Sequence, residues 1–218
     1  NYAFLEIFKS DVGRSVLSST AKFYASLSKS MISNGGITSY VMNAGTVFKN
    51  ERRFVKAWIA EKATLCEHKK ILKRAIVKDH MEEIIKECYE NSLHTMNLPL
   101  LAKGYALLRH SKKGLQELKT TIVKWAIEEY SVKKLSERPS ETFSDPVKYV
   151  ECLMDLVGEL TLLHDVGLCK SPYFMDAFSV VFQKIVNSGT ALVTPQKTAE
   201  MLAKYCDHVI LKRVAERR

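Results

Sequence analysis

Apolar residues recur at three- and four-residue steps along almost the whole of this chain, which is the period of helices that bury one face. Phe4, Phe8 and Val12, then Leu17, Ala21, Tyr24 and Leu27, keep that spacing with one longer step between Val12 and Leu17. Residues that interrupt helices are scarce. Nine glycines and five prolines in 218 residues are too few for strands joined by tight turns. The expected class is all-α: antiparallel helical bundles with short connections, stacked as in an α-repeat protein whose units have diverged.

The spacing predicts helices over about residues 2–32, 37–59, 64–77 and 80–91. Asn34-Gly35-Gly36 separates the first two, because asparagine and glycine tolerate the left-handed conformation that ends a helix. Met96-Asn97-Leu98-Pro99 opens a new unit, with Pro99 in the first turn of a helix that reaches about Arg109. A long helix from Leu115 to about Leu135 aligns Leu115, Leu118, Ile122, either Trp125 or Ala126, and Tyr130. Residues 136–144 form a polar, proline-bearing loop. Asp145-Pro146 pairs a side chain that accepts from free N–H groups with a proline at the first helical position, and opens a helix to about His164. Ser171-Pro172 is expected to repeat the device for a helix to Asn187, and Thr194-Pro195 precedes a last helix ending near Leu211.

Hydrophobic residues (46%) and charged residues (26%) are in the proportions of a packed soluble domain, which excludes wholesale disorder. Charges interrupt every apolar run before it reaches a membrane-spanning length, so no membrane partner is expected. Asn1-Tyr2-Ala3-Phe4 is neither a signal peptide nor an initiator-Met start, and reads as a chain that begins inside a helix. Five widely spaced cysteines, an odd number, fit a reducing cytoplasmic or nuclear setting better than a disulfide framework. The net charge of +9 admits an acidic partner, either nucleic acid or an anionic protein face. The basic residues alternate with Glu and Asp and have no aromatic stacking platform among them. A solvated surface is therefore favoured, and nucleic acid is not the expected partner.

Little points to chemistry. Cys66 with His68, and Cys206 with His208, are two residues apart, a spacing that points side chains on a helix in different directions. No C-x-x-C or H-x-x-x-H occurs, so no metal ligand is assigned. No nucleophile elbow accompanies the cysteines, and Cys152, Cys169 and Cys206 are expected in the core. Gly35-Gly36 is not a phosphate-binding loop. No catalytic residue, cofactor site or enzymatic activity is expected. Lys69, Lys70, Lys73 and Arg74 make one basic stripe at helical spacing; it could grip an acidic partner, although such stripes are more often the wet face of a helix.

Two late segments carry a resemblance. Phe174, Ala177, Phe178, Phe182 and Asn187 follow the pattern F-x-x-A-F-x-x-x-F-x-x-x-x-N, and residues 199–207 read A-E-M-L-A-K-Y-C-D. Both resemble the end of the N-terminal stalk of the cullins, the scaffolds of modular ubiquitin ligases. Earlier segments are similar in the same order: Phe23-Tyr24, then Ile37 to Val41 with Tyr40, then Glu51 and Arg53. Cys66-Glu67 with Val77 to Met81, Gly114 to Leu118, and Asp145 to Val150 continue the series. The run from Asn43 to Lys49 is less acidic than the family pattern.

The resemblance implies the last helix of a preceding repeat over 1–34, a second repeat over 35–95, a third over 96–190, and the start of the following region over 191–218. It implies a stiff, curved stalk of five-helix repeats and a non-catalytic scaffold that spaces a substrate-receptor end from a RING/E2 end. Its protein partners, an adaptor or substrate receptor and a RING protein, would bind parts outside 1–218. The residues that matter are then structural: Phe23, Tyr24, Trp58, Leu115, Leu118, Tyr149, Phe174, Phe178, Phe182, Leu202 and Tyr205. Two rival readings are another α-repeat interaction or tethering module and a basic nucleic-acid-binding helical domain.

Overall fold

The computed structural model describes residues 11–58, 62–188 and 194–216. Every regular element among these residues is helical, and none is a strand. The chain divides into two compact units, Asn1–Leu118 and Lys119–Arg218.

The first unit begins with α1, Asp11–Trp58, a long helical run broken at a single residue. Gly36 has φ 71° and ψ 172°, a backbone region that is essentially restricted to glycine. Asn34 and Gly35, expected to share the break, stay helical. The reversal is sharp enough for the two arms to run back along each other. The Tyr24 phenol comes beside the Glu51 carboxylate, and in a straight helix those residues would be about 40 Å apart. The next helix, α2 (Lys62–Ile76), packs on this hairpin. His68 Nε2 donates to Glu51 Oε1 at 3.1 Å, and the Tyr40 hydroxyl donates to the Ile76 carbonyl at 2.7 Å. A short turn, Lys78–His80, leads into α3 (Met81–Glu87), and His80 Nε2 meets Ser28 Oγ of the first arm at 3.0 Å. Val41, Ala44, Leu72 and Ile84 are buried in the same unit.

After α3 the helix widens by one residue per turn over Cys88–Leu93, and α4 follows at Leu98–Leu108. Asn97 Oδ1 caps α4 by accepting from Leu100 N at 3.2 Å, and Pro99 sits in its first turn as its position in the sequence predicts. α4 passes directly over Cys88. A Cβ on Gly104 would stand 2.2 Å from Cys88 Sγ, so only glycine fits this approach.

The second unit takes up the later part of α5 (Lys112–Trp125), a widened turn at Ala126–Tyr130, and α6 (Ser131–Ser136). The extra residue in that turn resolves the choice between Trp125 and Ala126, because both are buried. Asp145 caps α7 (Pro146–Leu162) by accepting from Val147 N at 2.9 Å and Lys148 N at 3.3 Å. Ser171 does not cap as expected. Its side chain makes no capping bond, its carbonyl accepts from His164 Nε2 at 3.1 Å, and Pro172–Phe174 forms a tight turn before α8 (Met175–Ser188). α9 (Pro195–Ala215) is joined to α7 by a buried hydrogen bond between the Tyr149 hydroxyl and Thr198 Oγ1, 2.9 Å.

Of the residues read as structural, Tyr24, Leu118, Tyr149, Phe174 and Phe178 are buried, and Leu115, Phe182, Leu202 and Tyr205 are half-buried. Trp58 ends α1, and its side chain lies outside the described residues. Phe23 is a correction, since it is 59% exposed. Consecutive helical residues point about 100° apart, so Phe23 and Tyr24 cannot both face the hairpin, and Tyr24 holds that place. Phe23 only sets its ring edge-on to Tyr24 at 5.1 Å. Cys169 and Cys206 are likewise exposed, whereas Cys152 is buried. Cys169 falls in a turn at φ 52°, and Cys206 lies on α9 away from the side that buries Thr198 and Met201.

Replacing Gly104 with Ala should cost about 1–3 kcal/mol in urea denaturation, and adding Cys88→Ala should restore much of that loss. A double variant no more stable than Gly104→Ala would show that the thiol is not what excludes a side chain there. Asp145→Ala should lower stability by about 1 kcal/mol, and Asp145→Asn should be nearly neutral. Equal losses for the two would contradict the capping role.

Candidate functional site

Acid–base, nucleophilic and metal chemistry each need groups brought together. Among the described residues, no three His, Cys, Asp or Glu side chains are grouped so as to hold a metal ion. Burial, and then the charge of Glu87, push the Cys88 thiol up to about 12, so it remains protonated near neutral pH. Tyr24 and Tyr130 are held well above the ordinary phenol range, first by burial and then by the Glu51 and Glu159 carboxylates beside them. These are groups locked into packing rather than poised to transfer protons. Among the described residues no helix is long and apolar enough to cross a membrane.

A concave feature lies in the first unit. The second arm of α1 and the C-terminal end of α4 border an open pocket of about 430 Å³. Its apolar floor is Gly45 and Phe48 from α1 with Ala106 and Leu107 from α4. Its rim is basic. Arg52 and Arg53 come three and four residues after Lys49, on one face of α1, and Arg109 stands opposite. His110 stacks on Phe48 with ring centroids 4.9 Å apart and planes 21° apart. Burial first, and then Arg109, Lys73 and Arg52, hold the His110 imidazole below its ordinary range. Among the described residues the lining contains no carboxylate. Glu51, in the same stretch of α1, is turned away to His68 and Tyr24. Among the described residues, neither Lys49, Arg52, Arg53 nor Arg109 forms an ion pair with a carboxylate.

Two residues of the basic stripe on α2 are paired with carboxylates. Lys70 pairs with Glu67 at 2.6 Å and Arg74 with Asp79 at 3.8 Å. Lys73 instead adds to the positive field at His110, and Lys69 borders a smaller hollow of about 130 Å³ beside Arg52, Val55 and His68. Two of the four stripe residues thus belong to the same basic region as the pocket. The rim itself was not singled out from the sequence. Lys49, Arg52 and Arg53 carried a helical spacing signal that could have been noticed. Nothing local signals that Arg109 and His110, more than fifty residues later, close the other side.

Comparison with known proteins places this all-helical architecture. A family model described as the cullin alpha solenoid domain matches residues 2–217. The chain is 22% identical to Cullin-1 of Dictyostelium discoideum, over 95% of this chain and 27% of that protein. It is 21% identical to Cullin-5 of Caenorhabditis elegans, over 95% of this chain and 29% of that protein. It is also 22% identical to Cullin-2 of the same organism, over 90% of this chain and 24% of that protein. The chain therefore spans less than a third of the length of each of these relatives. A match that runs from residue 2 to residue 217 of an all-helical chain leaves one assignment: this chain belongs to the cullin family.

Proposed function

We propose that this chain is a spacing segment in the scaffold of a cullin-RING-type ubiquitin ligase. It makes and breaks no bonds. It keeps a substrate-receptor end apart from a RING end that brings the loaded ubiquitin, with partners that bind outside residues 1–218. The observation that carries this reading is the cullin match over nearly the entire chain. Hydrogen bonds that tie separate helices suit a stiff spacer: Tyr149 meets Thr198 at 2.9 Å, and Lys134 donates to Glu159 at 3.1 Å. The reading places the protein in the cytoplasm or nucleus, where ubiquitin transfer occurs. The division into repeats at about residues 35, 96 and 191 belongs to the same proposal.

A spacer works by persistence of geometry. Tethering raises the effective concentration of substrate near the loaded ubiquitin only while the orientation is kept. Core packing is then the functional property, and Trp125, buried and set against Tyr130 with ring centroids 4.5 Å apart, is a sensitive point. Tethering by some other α-repeat protein has no observation of its own in its favour.

In the full-length protein, Trp125→Ala should cost about 3–5 kcal/mol of stability. It should slow ubiquitin transfer to a receptor-bound substrate while both receptor and RING protein still co-purify. Unchanged transfer in a measurably destabilised variant would remove stiffness from the account. A full-length protein that captures neither a RING protein nor ubiquitin-pathway components would overturn the ligase reading itself.

A further inference from the structure

The pocket between α1 and α4 has a composition that internal packing does not account for. A scaffold surface is ordinarily a mosaic in which lysine and arginine find carboxylates, as Lys113 does with Glu117 and Lys204 with Glu200. Here Lys49, Arg52, Arg53 and Arg109 converge on one concavity without an acid, and Lys73 adds to the field from α2. Like charges gathered without a counter-charge repel one another, and they gain most from an anion that enters among them. Arg109 is partly accommodated by the carbonyls at the end of α4, but the three cations on α1 lie within a helix and have no such compensation.

The floor narrows the choice of anion. A compact polyphosphate would need donors on every side, and this floor is apolar, made by Phe48, Leu107, Ala106 and the bare backbone of Gly45. A single-stranded nucleic acid would need exposed aromatic faces, and Phe48 is 5% exposed and covered by His110. An apolar floor inside a cationic rim suits a peptide that presents an apolar side chain between carboxylates. The volume, about 430 Å³, is at the small end of ligand sites and holds a few side chains rather than a folded surface.

We infer that this pocket docks an acidic peptide segment of a partner protein, with an apolar side chain seated over Gly45 and Ala106, the accessible part of the floor, and flanking carboxylates held by Lys49, Arg52, Arg53 and Arg109. The site is on the scaffold itself. It is independent of the ends at which the ligase reading places the receptor and the RING protein.

Fluorescence anisotropy of the 218-residue chain tests this with a labelled short peptide that carries a central Leu between Asp and Glu residues. Comparison probes are the same peptide with Ala at the centre, inositol hexakisphosphate as competitor, and a labelled single-stranded DNA. At physiological salt the Leu peptide should bind, and the Ala peptide should bind several-fold more weakly. Arg52→Glu combined with Arg109→Glu should weaken binding by about tenfold or more. Gly45→Met carries no charge change and meets no neighbour at its Cβ, so it fills the floor without a clash there. It too should weaken binding several-fold, with an unchanged circular-dichroism melt as evidence of folding. Lys184→Glu, on the exposed face of α8, should leave binding as it was. Four results would each overturn the inference: no binding of the Leu peptide, equal loss in Lys184→Glu, binding indifferent to Gly45→Met, or tighter binding of the DNA or the polyphosphate than of the peptide.

Discussion

Two helical arms meet at Gly36 and are held side by side by a phenol, a carboxylate and an imidazole. His68 donates a hydrogen bond to Glu51 and the Tyr24 phenol lies beside the same carboxylate, which joins the first arm of α1, its second arm and α2 at one point. Tyr40 reaches the end of α2, and His80 reaches back to Ser28 from the start of α3. Hydrophobic burial makes the arms associate, but it is non-directional and tolerates sliding. Buried polar pairs do not tolerate it, since each group left without its partner costs about 1–3 kcal/mol. The first unit therefore has one favoured arrangement, and the pocket formed by the second arm and α4 inherits its shape from that arrangement.

The same logic recurs in the second unit with different residues. Glu159 receives both Tyr130 and Lys134, Arg138 reaches Asp155 at 2.9 Å, and Tyr149 joins Thr198. Each bond crosses between separate elements. An alpha solenoid domain has no single central core to enforce geometry, and neighbour-to-neighbour ties of this kind supply it locally.

Much of this was legible in the chain because it is encoded locally. Helical period, the Asp145-Pro146 start and Pro99 in a first turn each depend on a few consecutive residues, and they appear where the sequence puts them. The cullin resemblance rested on motif residues that prove to be tied residues: Tyr40, Glu51, His80 and Tyr149 each make a hydrogen bond across elements, and Tyr24 lies beside Glu51 between the arms of α1. What was missed is non-local. Phe23 and Tyr24 look equivalent in sequence, and only the hairpin decides which one is covered. The widened turn at Ala126–Tyr130 admits both Trp125 and Ala126 to the core, which a fixed helical period cannot anticipate. The basic pocket unites α1 with the residues after α4, and its cations lie in three separate stretches of the chain.

The central claim is that the polar join at Glu51 sets the geometry of the α1 hairpin. Spin labels at exposed Lys22 and Asn50, one on each arm, would measure it by electron–electron double resonance in a chain whose exposed Cys66, Cys169 and Cys206 are replaced by Ser. The account predicts a single narrow distance distribution, and a clearly broadened one when Glu51 is replaced by Ala. A broad distribution in the parent, or an equally narrow one without the Glu51 carboxylate, would contradict it.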